Sequence, residues 1–328
     1  MTTDGLIFAL PSKGSLHDPM VALFERCFLK PKRDHGGRSY SGRLQGIEGS
    51  TIIYARADDV AEIVGTGQAH VGVTGLDLVM ESQPADFSDQ VGLVVPDLGF
   101  GRASLTIGVP NTWIDVRSFS DLIDVAHEVR LKHQRPLRIA TKFPHLTRSF
   151  FMRHGLSDFR LVASAGATEA APRSGTADCI VDLVSSGTTY VANGLTAIDG
   201  GVVLDSQAAL VANNDANRWT PNAIAAFEHF GSLLSGGLRA EAMRTIQTTL
   251  PAGHTKPPAE LQDLLSDVHT FITTDGATAV SAVFHTDNVH EVLSRFRRQG
   301  ACGTRISDCH IMADMGDNAF DQFLAELT

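Results

Sequence analysis

Short apolar runs alternate with stretches in which apolar residues recur every three or four positions, from the N-terminus to about residue 213. A brief apolar run bounded by turn residues fits a strand of a buried parallel sheet, and the longer spacing fits a helix. The first series reads as a strand over 6–10, a break at Pro11-Ser-Lys-Gly14, and a helix over 16–28 for which Ser12 is the expected N-cap. A strand over 50–55, a helix over 58–65, a strand over 70–74 and a helix opening at 75–81 follow. The second series places strands over 104–109, 137–141, 160–163 and 180–184, helices over 121–133 and 146–154, and an extended segment over 201–212. Strands alternating with helices predict an α/β fold with mostly parallel sheets.

The pattern changes after residue 213. Residues 213–222 are polar and turn-rich, as in a linker. Helices are expected over 223–234 and 238–250, with a break at 251–258. The remainder reads as a small α/β module: strands over 268–274 and 278–286 joined by the hairpin signal Asp275-Gly276, a helix over 289–299 and a strand over 304–312. No fixed-period repeat or low-complexity tract is present. With 328 residues the chain is long for one core, and two or three domains are expected.

Composition narrows the function classes. Hydrophobic residues make up 43% and charged residues 20% of the chain, as in globular proteins, and the formal net charge is −10. That charge disfavours a broad basic face for nucleic acid, and anions would need a local cationic pocket. The N-terminus has no basic region, and the apolar run 6–10 is too short for a signal sequence or a membrane span, so a cytoplasmic protein is expected. Cys27, Cys179, Cys302 and Cys309 form no CxxC pair. They read as isolated thiols rather than as disulfide or metal ligands.

Chemistry concentrates where the strand over 180–184 enters Ser185-Ser-Gly-Thr-Thr189. Gly187 permits close backbone approach, and the loop's amides and four hydroxyls can converge on one anion. The segment fits either a phosphate cradle or an ordinary βα turn. Asp182 lies just upstream, where a carboxylate can accept hydrogen bonds from sugar hydroxyls. Glu169, in Glu169-Ala-Ala-Pro172, fits a sugar-hydroxyl or water-bridged Mg²⁺ contact, or a helix-start charge. Arg56 follows a strand at its carboxyl end, where α/β sheets place ligands, and Arg38 lies in a glycine-rich loop. Their guanidinium forks suit a diphosphate. Lys13-Gly14 also lies at a strand's carboxyl end.

These residues resemble a known family. Ala9-Leu-Pro-Ser-Lys-Gly14, Ala55-Arg-Ala-Asp-Asp-Val60, Val71-Gly-Val-Thr-Gly-Leu-Asp77, Asp97-Leu-Gly-Phe-Gly-Arg102, Ile139-Ala-Thr-Lys-Phe-Pro144, Gly166-Ala-Thr-Glu-Ala-Ala-Pro172 and Asp182-Leu-Val-Ser-Ser-Gly-Thr-Thr189 occur in the order seen in ATP phosphoribosyltransferases, the first enzymes of histidine biosynthesis. The resemblance implies transfer of the phosphoribosyl group of phosphoribosyl pyrophosphate to N1 of ATP, with Mg²⁺ on the pyrophosphate. It implies a 5-phosphate loop at Ser185, Ser186, Gly187, Thr188 and Thr189, and a ribose-binding acid at Asp182. Arg56 and Arg38 would act on the leaving pyrophosphate, and Lys13-Gly14 would lie near the nucleotide. Family members often carry an arginine where this chain has Ser15.

The implied fold is a two-lobed core similar to periplasmic binding proteins, followed by a small ferredoxin-like or ACT-like domain. Residues 1–98 plus 195–213 would form one lobe, 99–194 the other, 214–234 a linker and helix, and 235–328 a regulatory or oligomerisation domain. Histidine as inhibitor and a homo-oligomer, dimer or hexamer, are implied with it. The regulatory module of the family's long form opens on a strand before the helix expected at 238–250. Gly236-Gly237 stands in that place, and no such strand is expected here. A solute-binding protein and a catalytically silent relative are the alternatives from other classes.

Overall fold

In a computed structural model, which describes residues 4–34, 39–82, 90–164, 166–185, 187–257, 259–312 and 319–327, the chain divides into two compact units. One holds residues up to Val21, Pro31–Ala226 and those from Gln322 on, and the other holds Ala22–Lys30 and Phe227–Asp321.

The first unit contains two sheets. Strands β1 (Ile7–Pro11), β2 (Lys30–Arg33), β3 (Ser41–Gln45), β4 (Thr51–Ala55), β5 (Val71–Gly75) and β6 (Val91–Val95), with the later β12 (Ala208–Asn213), form a seven-stranded sheet in the order β2-β3-β4-β1-β5-β12-β6. The strands β4, β1 and β5 are parallel, and β12 runs antiparallel to β5 and β6. Helices α1 (His17–Arg26), α2 (Ala57–Gly65) and α3 (Leu76–Ser82) follow β1, β4 and β5. Val60 and Val64 of α2 pack with Ala9 and Val211 in a fully buried cluster. Ser12 does not cap α1, because the helix starts only at His17, and the Ser12 N–H instead extends the β1–β4 pairing by donating to the Ala55 carbonyl at 2.7 Å.

The second sheet is five-stranded, in the order β11-β7-β10-β8-β9. Its strands are β7 (Ala103–Pro110), β8 (Leu137–Thr141), β9 (Phe159–Ala163), β10 (Cys179–Val184) and β11 (Leu195–Ser206). Helices α4 (Phe119–His133), α5 (Pro144–Arg153) and α6 (Thr188–Ala192) belong to this lobe. A reciprocal capping box between Ser118 and Asp121 starts α4. Residues 195–206 pair with β7 here, so of the stretch 195–213 assigned to the first lobe only 208–213 joins the seven-stranded sheet.

Asp178 ties β8 to β10 at the amino end of β10, the end away from the loop over 185–189. It accepts hydrogen bonds from Arg135 (2.6 and 2.9 Å), from the Arg138 guanidinium (2.9 Å) and from the Arg138 amide (2.8 Å). Burial alone would raise its pKa, but these bonds outweigh burial and hold it down to about 2. A depressed carboxylate stabilises the fold above its unfolded pKa and loses that contribution as pH falls through the folded value. Asp178→Asn should therefore lower stability by about 2 kcal/mol at neutral pH. The gap to the parent protein in urea midpoint should close between pH 4 and 2, and a pH-independent gap would contradict the pairing.

In the second unit, β13 (Met243–Leu250), β14 (Leu265–Ile272), β15 (Thr278–His285) and β16 (Cys302–Asp308) form an antiparallel sheet ordered β14-β15-β13-β16. Val292 and Phe296 of α8 (Val289–Arg298) pack on Ile246, Leu250, Val280 and Phe284. Strand order and directions are those of a ferredoxin-like module. Its first crossover carries only the one-turn helix Ala259–Leu261 among the described residues. The helix expected over 238–250 is absent. Helix α7 (Pro221–Ala240) continues through Gly236 and Gly237, and the residues after it form β13, the opening strand that the sequence pattern did not show. A terminal helix, α9 (Ala319–Leu327), was also not expected. No helix among the described residues is long and apolar enough to cross a membrane.

Candidate active site

The carboxyl ends of β1 and β5, the start of α2 and the loops after β8 and β10 surround one cleft of about 880 Å³ within the first unit. Lys13, Gly14 and Asp77 line it from the seven-stranded lobe, and Lys142, Asp182 and Ser185 from the five-stranded lobe. A neighbouring pocket of about 580 Å³ is lined by Arg56, Lys142 and Arg148. Asp58 and Lys142 line both spaces.

The segment after β10 is built for an open backbone. Gly187 has φ of +72° and immediately precedes α6, a conformation that side chains disfavour. An added Cβ there would meet nothing within 4 Å, so glycine serves the backbone angle and not a packing contact. Thr188 and Thr189 open α6 and are exposed, as is Ser185. Ser186 lies outside the described residues. Tyr190 anchors the loop from behind: its buried hydroxyl donates to the Thr106 carbonyl of β7 at 2.8 Å, and burial pushes its pKa up. Nothing local in the sequence marks this tyrosine, because its partner lies 84 positions away.

Asp182 lies near the carboxyl end of β10, three residues before Ser185. Burial raises its carboxyl above the ordinary value, while the Leu183 amide at 2.9 Å and the Lys142 charge work in the opposite direction. Glu169 lies on the one-turn helix Thr168–Ala170, and its charge raises the Asp182 pKa further. Glu169 lines neither space described above.

On the other lobe, Arg56 occupies the N-cap position of α2, and its exposed guanidinium meets Asp58 at 3.0 Å. Arg38 lies outside the described residues. Lys13 is exposed in the loop after β1, whose Ser12 carbonyl accepts from Arg33 at 3.0 Å. Arg33 itself stacks on Tyr54, 3.8 Å from the ring centroid. Asp77 starts α3 and is 5% exposed, and burial raises its carboxyl. It accepts from the Ser206 hydroxyl at 2.5 Å. Lys142, Asp77 and Glu81 join the cleft although none was singled out from sequence. Only the motifs around Lys142 and Asp77 carried a signal.

Among the described residues, no group of three or more His, Cys, Asp and Glu could hold a metal ion. Magnesium typically keeps several waters and one or two protein carboxylates, taking its other ligands from substrate phosphates. Asp77 and Asp182 in one cleft fit an ion that enters on a polyphosphate, and they would not hold one in a protein cage.

A family model described as HisG, ATP phosphoribosyltransferase, matches residues 56–230. An ATP phosphoribosyltransferase of Nitrobacter winogradskyi is 37% identical over 320 residues, 98% of each chain. The chain belongs to the ATP phosphoribosyltransferase family. It is therefore a phosphoribosyl transferase of histidine biosynthesis. A further member, from Afipia carboxidovorans, is 43% identical over 251 residues, 76% of each chain. Among solved structures, the ATP phosphoribosyl transferase (HisG:HisZ) complex from Thermotoga maritima matches with a TM-score of 0.52 and 21% identity. That match covers 70% of this chain and 98% of that one, and it supports the fold of the two-lobed core.

Proposed function

We propose that the cleft transfers the phosphoribosyl group of phosphoribosyl pyrophosphate to N1 of ATP, with the sugar phosphate held by the β10–α6 loop and ATP against the opposite lobe. The observation that carries this reading is the meeting of Asp182 and Ser185 with Lys13 and Gly14 in one cavity, one set from each lobe. The backbone at Gly187 and the hydroxyls of Ser185, Ser186, Thr188 and Thr189 bind the 5-phosphate. Asp182 accepts from the ribose hydroxyls, and Glu169 supports the same face. Lys13-Gly14 contacts the nucleotide. Arg56, with Arg38, takes up charge on the leaving pyrophosphate. An adenine nitrogen is a competent neutral nucleophile, so the site needs alignment of two polyanions more than a strong base. Magnesium bound to the pyrophosphate would add Lewis-acid stabilisation, with Asp77 and Asp182 available to it.

Purified protein with ATP, phosphoribosyl pyrophosphate and Mg²⁺ should give the absorbance of phosphoribosyl-ATP. A properly folded chain that binds both substrates without forming product would favour a silent relative instead.

We also propose a cytoplasmic homo-oligomer, dimer or hexamer, in which the ferredoxin-like module binds histidine and lowers activity. Strand β13 completes the sheet that such a module needs. The coupling is expected at about 1–3 kcal/mol and must be reciprocal, so histidine and substrate should weaken each other's binding equally. Calorimetry showing no histidine binding to the intact protein would remove this regulatory role.

A further inference from the structure

Helix α5 begins without an acceptor of its own. Its N-cap residue is Phe143, whose side chain cannot accept a hydrogen bond, and Pro144 at the first helical position has no N–H. The next two amides, His145 and Leu146, are donors that a helix leaves open. They are satisfied from the other lobe: Glu81, on α3, accepts from His145 through Oε1 at 2.8 Å and from Leu146 through Oε2 at 3.0 Å. A carboxylate 64 positions away thus caps the helix across the cleft. Burial raises the Glu81 carboxyl, and the two amides oppose that rise.

Lys142 stands two residues ahead of this capped helix. Lys142 lines the cleft with Asp182, and its charge acts on the Asp182 carboxylate. It also lines the adjoining pocket, where Arg56, Lys142 and Arg148 face a single carboxylate, Asp58. Three cations against one anion, beside the sugar-binding acid, make a seat for a polyanion attached to a sugar. The pyrophosphoryl group of phosphoribosyl pyrophosphate has that chemistry.

We propose that Lys142 contacts the pyrophosphoryl group of the sugar substrate and that Glu81 is a positioning residue acting through it, by capping α5 across the cleft. The proposal rests on the reaction assigned above and adds two residues to it. Ordering by Glu81 sets where Lys142 stands relative to Asp182, so losing the cap should disturb the sugar substrate and leave ATP binding intact.

The test is a double-variant cycle with Glu81→Ala, Lys142→Met and the pair combined, measured on the full-length protein with Mg²⁺. Each single change should lower kcat/KM for phosphoribosyl pyrophosphate about tenfold, the scale of one lost charge-assisted contact, with KM for ATP unchanged. The combined variant should be no worse than Lys142→Met alone. Glu81→Gln keeps one acceptor oxygen and should recover part of the loss. Hydrogen exchange at the His145 and Leu146 amides should quicken in Glu81→Ala without any substrate present. Effects that multiply in the combined variant would overturn the proposal. So would Glu81→Ala with parental kinetics and only a lowered melting temperature. If the parent protein makes no product, the reaction assignment fails, and the same cycle is read from calorimetric Kd for phosphoribosyl pyrophosphate. A parent protein that does not bind that compound overturns both.

Discussion

Arg56→Ala is expected to lower kcat by about 10²–10³-fold, the range seen when one preorganised donor to developing charge is removed. Negative charge on the pyrophosphate grows as the bond to C1 breaks, so a donor aimed at it acts more strongly in the transition state than in the bound complex. Three observations support that role for Arg56. It follows β4 at its carboxyl end, its guanidinium is exposed with Asp58 as an ion-pair partner at 3.0 Å, and it shares its pocket with Lys142 and Arg148. Arg56→Lys keeps a charge but loses the two-pronged geometry, and an intermediate rate is expected. Release of product can mask a slowed chemical step, so single-turnover quench measurements should accompany steady-state rates. A variant with parental kcat and only a raised KM would show that Arg56 binds ground state and transition state alike.

The elements legible in the sequence were those whose signal is local. Strands β1, β5, β8 and β10 are short apolar runs because both faces of their sheets are covered, and such runs stand out. The polar strands β2 and β3 do not, since KPKR and SGRLQ carry few apolar positions and owe their conformation to pairing. The glycines of α7 misled for a definite reason. Gly236 and Gly237 read as a break between two helices, yet α7 runs through both, and a Cβ at Gly237 would come 2.2 Å from the Cys27 sulfur. Gly237 serves close packing, and the residues after the helix pair as β13 instead of forming a second helix. At the site, the loop after β10 and Asp182 lie within eight residues of each other and could be read together. Glu81 could not be, because a cap supplied through space leaves no spacing in the sequence. Tyr190 and Asp77 depend likewise on partners in β7 and at Ser206.

On the proposed ribose contact, Asp182→Asn is expected to weaken phosphoribosyl pyrophosphate binding by about 30–100-fold, as two charge-assisted hydrogen bonds to ribose hydroxyls become neutral ones at a loss of about 1–1.5 kcal/mol each. The residue is held for this by β10, where Asp182 pairs with Thr106 of β7, and by the Leu183 amide on its Oδ1. Its acid limb gives an independent check. Burial, the largest influence, raises the carboxyl above 3.8 in the free protein, so kcat/KM should fall with decreasing pH at a value above that of a free aspartate. Ribose hydroxyls donating to the carboxylate would favour its charged form and lower its pKa once substrate is bound. The acid limb of kcat should therefore lie at lower pH than that of kcat/KM. Asp182→Asn should abolish the limb that belongs to Asp182. Parental affinity in Asp182→Asn, with both limbs unmoved, would take the ribose away from Asp182.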